Sequence, residues 1–244
     1  NHLSDALELC SKFFPNITEQ YENIRPLLLN LPNMQTTKNY ADTVKVSRGK
    51  IKLVDIDAYS ERSFPLCMTE LHQHLRKEHS LKHIGRLQYG LFLKGIGLSM
   101  DDSLEFFRRE FTKRMPDAKF NKEYSYNIRF NYGKEGKKAD YTPWNCGKII
   151  NLNPPGVNEQ HGCPYKYYNE SKLEAILRTR FRLDGEQIRE VLDKKHGHHY
   201  PIACKRVFQA LHPNTKFLDN VGAHPNAYFE ASQEYLKNQK SDKQ

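Results

Sequence analysis

Five cysteines hold the most chemistry in this 244-residue chain: Cys10, Cys67, Cys146, Cys163 and Cys204. An odd number leaves one thiol over in any closed disulfide set. From Cys67 onward the gaps are 79, 17 and 41 positions, which match no C-x2-C zinc knuckle and no compact ferredoxin run. Spacing alone therefore leaves a four-thiolate centre beside the simpler reading of inert buried cysteines. Local context adds a little. Cys146 precedes Gly147, and Cys163 sits in His161-Gly162-Cys163-Pro164, where small and ring-locked neighbours let a backbone approach a bulky inorganic group. Cys10 lies in an amphipathic stretch and reads as a core residue.

For catalysis the sequence offers Val54-Asp55-Ile56-Asp57. Two carboxylates two positions apart on a strand share a face and suit Mg2+ for phosphoryl or nucleotidyl transfer. No third ligand, Walker loop or Ser-His-Asp set accompanies them, the pair alone is a weak signal, and surface acids explain it more simply. His196, His198 and His199 lack a regular ligand spacing and read as a polar loop.

Two further groups suit polyanions. Arg76, Lys77, Lys82, His83, Arg86 and Lys94 are opposed only by Glu78. If 68–79 and 86–97 are helices, the turn between them carries cations onto the second helix's N-terminus, where free N–H groups also bind phosphate. A solvated charged turn is the competing account. The second group runs from Phe120 through Tyr124, Tyr126, Asn127, Arg129 and Tyr132 to Lys134, Lys137 and Lys138. Its rings suit base stacking and its polar groups suit base edges or phosphate, unless the aromatics simply fill a core.

These groups need elements to hold them. The apolar residues recur at helical spacing over 4–14 and 18–31, and residues 33–50 read as a linker. Phe64-Pro65 begins a helix that places Cys67 near its N-terminus, with Ser63 as cap and Pro65 in the first turn. Gly85, Gly90, Gly95 and Gly97 punctuate an apolar run, which close helix packing explains. Capping patterns at Ser99 and Asp184 open helices to about 114 and 195, and more are expected at 171–179, 201–211 and 226–237. The expected fold is mainly α with few short strands. Domain limits are expected at 1–50 (end of a preceding helical domain and linker), 51–236 and a polar tail 237–244.

Size and charge bound the function classes. A chain of this length removes roughly 70–75% of its extended surface from water, so it needs no disulfide staples. No apolar run approaches the ~20 residues that span a bilayer. The formal charge of +9, with fourteen Tyr and thirteen Phe, favours nucleic acid over other polyanions. Beginning at Asn1 without a basic-then-apolar leader, the chain reads as part of a longer polypeptide from a reducing compartment, cytosolic or nuclear.

Several ordered segments then become recognisable: Phe64-Pro-Leu-Cys67-Met, Arg86-Leu-Gln-Tyr89-Gly-Leu-Phe-Leu-Lys94-Gly-Ile-Gly-Leu, Tyr124-Ser-Tyr126-Asn127-Ile-Arg129, Tyr132-Gly-Lys-Glu-Gly, Asp140-Tyr-Thr-Pro-Trp-Asn-Cys146, His161-Gly-Cys163-Pro and Ala223-His-Pro-Asn226. Together these resemble the C-terminal iron–sulfur domain of the large, non-catalytic subunit of eukaryotic DNA primase, over roughly 60–235. The resemblance implies a [4Fe–4S] cluster on Cys67, Cys146, Cys163 and Cys204, closing long loops around one inorganic core.

It also implies roles. Lys82, His83, Arg86 and Lys94 would neutralise a primer 5′-triphosphate and nearby template phosphates, and Tyr126 and Asn127 would contact the template. Tyr89, Tyr124 and Tyr126 would line an aromatic route between cluster and nucleic acid. Lys82 stands where relatives often have Arg, which keeps the charge but loses the bidentate fork; Leu87 stands where they often have Met. The implied setting is nuclear DNA replication. There a primase small catalytic subunit performs nucleotidyl transfer, in a complex with the DNA polymerase alpha catalytic and accessory subunits. The domain itself would bind single-stranded DNA template and 5′-triphosphorylated RNA primer to support initiation and length control. The enzyme-class alternative is an iron–sulfur-stabilised nuclease or nucleotidyl transferase using Asp55 and Asp57.

Overall fold

The computed structural model describes residues 51–215 and 220–241. The helical pair, Cys10 and linker expected in 1–50 lie outside the described residues. Twelve α-helices occur among the described residues, joined by one isolated parallel bridge between Ile51 and Leu98. The fold is mainly α, as the periodicity predicts.

The carboxylate pair is the first correction. Leu53–Asp55 is a single 3-10 turn running into α1 (Ile56–Arg62), so no strand puts Asp55 and Asp57 on one face. Asp57 is instead committed to an ion pair, accepting from Arg76 Nε at 3.0 Å and Nη2 at 2.6 Å. This removes the geometric basis for two-carboxylate metal chemistry there. Ser63 closes α1, its N–H donating to Tyr59 O. Pro65, extended at φ −64° and ψ 153°, then stands at the N-cap of α2 (Leu66–Glu78) rather than in its first turn. Cys67 is the second helical residue, as expected.

α2 ends in the left-handed His79, and the chain turns through 80–82 into α3 (His83–Ile96). Three α3 glycines lie where neighbours pass closely. Gly85 faces the Gln160 carbonyl, Gly90 the Asn131 amide, and Gly95 both Pro143 and Asn226. A Cβ at Gly85 would overlap backbone, which cannot swing aside like a side chain. The Ser99 hydroxyl then caps α4 (Met100–Phe111) by accepting from Asp102 N–H. The 120–138 stretch breaks at Tyr124, giving α5 (Asp117–Glu123) and α6 (Ser125–Asn131).

α1 to α6 share one core, in which Phe64, Tyr89, Phe92, Phe106, Phe107, Phe111 and Phe120 are almost wholly buried. A charged network crosses it. Glu110 is 1% exposed and accepts from Arg76 Nη1 at 2.5 Å, His79 Nδ1 at 2.8 Å and Lys113 Nζ at 2.9 Å. Beside it His72 is buried between Asp57 Oδ1, 2.9 Å from Nε2, and the Tyr89 hydroxyl, 2.7 Å from Nδ1. Neutral His72 satisfies both partners, donating from Nε2 and accepting at Nδ1.

Burial, aided by Arg76, lowers the His72 pKa to about 4 against opposing effects of Asp57 and Glu110. Between its ordinary 6.5 and about 4 the unfolded chain therefore binds more protons than the folded one, and stability falls as pH is lowered through that window. The expected loss from this group is about 3 kcal/mol. Urea titrations at pH 7 and 4.5 check it: His72→Gln should flatten the pH dependence, and an unchanged profile would contradict the assignment.

The second half adds α7 (Cys146–Ile150), α8 (Pro164–Tyr167), α9 (Glu170–Thr179), α10 (Gly185–His196), α11 (Tyr200–Leu211) and α12 (Pro225–Ser241). The Asp184 carboxylate accepts from Gln187 N–H while the Gln187 side chain accepts from Asp184 N–H, the capping box the sequence predicts. α9 to α11 bury Leu173, Leu177, Ile188, Val191, Ala203 and Val207 in a second core. Phe208, Val221, Tyr228 and Ala231 form a third. α12 extends through Ser241, beyond the limit the sequence suggests, and 242–244 lie outside the described residues.

Candidate functional site

The four later cysteines come from four separate elements. Cys67 lies in the first turn of α2, Cys146 opens α7, Cys163 immediately precedes α8, and Cys204 is within α11. All four line one cavity with about 410 Å3 of atom-free space, part of it open to solvent. None is disulfide-bonded. They sit where cores meet: Cys67 and Cys163 pack on the first, Cys163 and Cys204 on the second, Cys204 also on the third.

These thiols resist ionisation in the protein alone. Burial pushes Cys146 up to about 12 and Cys163 to about 11, and lifts Cys67 and Cys204 well above the thiol range. Mutual repulsion adds to the rise at Cys67, Cys146 and Cys204. Four thiolates here require a compensating positive centre. Donors already aim at the sulfurs: the Met68 N–H at Cys67, the Tyr165 and Lys166 N–H groups at Cys163, and the Tyr165 hydroxyl at Cys204. Among the described residues no three His, Cys, Asp or Glu side chains are grouped to hold a single metal ion. A donor set made only of thiolates suits soft metals.

The cationic turn is tied to this cavity. Gln88 of α3 accepts from Gly162 N–H at 2.7 Å and donates to Gly162 O at 3.3 Å, one residue before Cys163. Gly85 packs on Gln160 O in the same loop. The start of α3 is therefore fixed to a cysteine loop by paired hydrogen bonds and backbone contact. Gln88 carries no sequence signal, because its partner lies 74 positions away.

Lys82 and His83 are exposed at the start of α3. Partial desolvation, despite its exposed position, and neighbouring Arg86 lower the His83 pKa. Arg86 donates to Leu81 O at 2.7 Å, and its guanidinium lies 4.8 Å from the Tyr124 ring centroid. The two basic groups that the sequence presents separately thus meet at Arg86 and Tyr124. On α6 the Tyr126 side is open: its ring is 49% exposed and stacks on Phe130 at 6.3 Å, which stacks on Tyr141 at 4.5 Å. Asn127 is half-buried beside it.

Two expected residues are placed differently. Lys94 is 5% exposed, and its ammonium donates to Asn131 O, Tyr141 O and Asp140 Oδ1 at 2.6–2.7 Å. Those three bonds use all its protons, so Lys94 ties α3 to the 131 and 140–141 segments instead of meeting a phosphate. Tyr89 is fully buried. Among the described residues its ring reaches Tyr124 only through Phe107 and Phe111, with centroid steps of 6.2, 6.2 and 4.8 Å, while Tyr126 belongs to the separate Phe130 stack. The three histidines are exposed and polar as expected, but only His198 lies in the connecting turn: His196 ends α10, bonded to Glu170, His198 bonds to Tyr200, and His199 stands at the N-cap of α11.

Known proteins similar to this chain point to one family. Residues 57–229 match the family described as the C-terminal domain of the eukaryotic and archaeal DNA primase large subunit. A probable DNA primase large subunit of Arabidopsis thaliana is 44% identical over 97% of this chain and 51% of its own length. The DNA primase large subunits of Mus musculus and Homo sapiens are each 42% identical, over 96% and 99% of this chain and 46% and 47% of theirs. The chain spans about half the length of these relatives. With the family model covering most of the described helices, the chain belongs to the DNA primase large subunit family, in its C-terminal domain.

Proposed function

We propose that this chain is the non-catalytic, template- and primer-binding part of a DNA primase, organised by a [4Fe–4S] cluster on Cys67, Cys146, Cys163 and Cys204. When bound, the cluster supplies positive charge and a fixed four-point anchor, with a thiolate on every iron. The single observation that carries the reading is the Gln88–Gly162 pair, which couples the Cys163 loop to the helix bearing Lys82, His83 and Arg86. These three side chains take a primer 5′-triphosphate and adjoining phosphates through charge-assisted bonds. Tyr126 stacks a template base and Asn127 hydrogen-bonds the template.

Nucleotidyl transfer belongs, in this reading, to a small catalytic subunit, within a nuclear assembly that includes the DNA polymerase alpha catalytic and accessory subunits. Holding the 5′ end while a partner extends the 3′ end lowers the entropic cost of the first step. It also lets the complex sense primer length.

The test is anisotropy binding of the full chain to RNA annealed on DNA with a 3′ template overhang. Single-stranded contacts contribute roughly −0.7 each to the log–log salt slope. Replacing the 5′-triphosphate by hydroxyl should weaken binding and flatten the slope, and Arg86→Gln should diminish that preference. Equal affinity for both ends would overturn the assignment.

A further inference from the structure

A second cationic element adjoins the exposed Tyr126 ring. After α6 the chain winds through Gly133 at φ 67° and Gly136 at φ 60°, and Lys138 is also left-handed at φ 53°. The loop lies against the aromatic stack: a Cβ on Gly136 would be 3.1 Å from the Phe130 ring and 3.6 Å from the Tyr126 hydroxyl. Of the two acids between α6 and α7, Glu135 is paired with Arg129 Nε at 2.6 Å and Asp140 with Lys94 Nζ at 2.6 Å. Lys134, Lys137 and Lys138 are all exposed.

We infer that these three lysines form a phosphate-binding rail that continues the template path beyond Tyr126, with single-stranded nucleic acid as ligand. The inference rests on the template role given above to Tyr126 and Asn127. A ring open to solvent offers a sequence-tolerant stacking surface, and cations beside it hold the backbone of the strand whose base it stacks. The Arg129–Glu135 pair and the tight glycine turns fix where those cations sit. This arrangement distinguishes the loop from a freely solvated charge run. An acidic protein surface would use the charge but leave the ring without a partner.

The experiment measures binding of a DNA template overhang to the full chain between 50 and 200 mM salt. It compares wild type with a triple variant, Lys134→Gln, Lys137→Gln and Lys138→Gln. Three lost single-strand contacts flatten the log–log slope by roughly 2, so the affinity ratio of wild type to variant shrinks about twentyfold across that range. A charge-matched control, Lys52→Gln with Lys172→Gln and Arg189→Gln, should change the slope much less. A wild-type slope in the loop variant, or an equal change in the control, overturns the rail and leaves the Tyr126 reading intact. Wild-type protein that binds no overhang overturns both.

Discussion

Cys204→Ser is expected to abolish cluster retention and to unfold the protein around α7 to α11, leaving no cooperative thermal transition for that half. Cys204 packs on both the second and third cores, and Cys163 joins the second to the first. Metal binding to thiolates gathered from remote segments is itself folding free energy, roughly 10–16 kcal/mol for structural zinc peptides. That range matches or exceeds the ~5–15 kcal/mol net stability of ordinary domains. Serine is nearly isosteric, so a lost packing contact alone would cost far less. Near-UV circular dichroism and iron content of the purified variant check this. A variant with native packing and no iron would show that the cores close without the cluster.

Glu110→Gln should destabilise by about 1.5–3 kcal/mol, because a neutral amide cannot accept from all three of the cations that meet at this buried carboxylate, although Arg76 keeps Asp57 as a partner. The side chain is 2% exposed and takes bonds from Arg76, His79 and Lys113. Burial alone would raise its pKa, but hydrogen bonds from Lys113, His79 and Arg76 outweigh it and hold the carboxyl below the usual value of 4.5. Its contribution is therefore present above the unfolded value and lost as pH falls through the folded one. For a chain of this size the melting temperature should drop roughly 3–12 °C. Arg76→Met in the Glu110→Gln background should cost less than the two singles combined. Strict additivity, or a loss under about 1 kcal/mol, would contradict a coupled cluster.

The helices with strong periodicity or caps are legible in the residues alone, including α2, α3, α4, α9, α10 and α11. So is the close packing of the α3 glycines. Short helices are hidden where propensity is weak: over α1 the alternation of Val54 and Ile56 with Asp55 and Asp57 imitates a strand. Spacing offers no reason to join the cysteines, since the loops between them are long; their convergence is a tertiary fact. Lys94 illustrates the opposite limit. A lysine in a basic run looks like a surface cation, yet its partners Asn131, Asp140 and Tyr141 lie 37 to 47 positions downstream. Tyr126, by contrast, is exposed.

The central claim is that the four converging sulfurs hold one iron–sulfur cube. Anaerobic purification of the full chain followed by iron and acid-labile sulfide analysis tests it most directly. The account predicts about four irons and four sulfides per chain with absorbance near 400 nm. One zinc per chain, no sulfide and a colourless protein would contradict it.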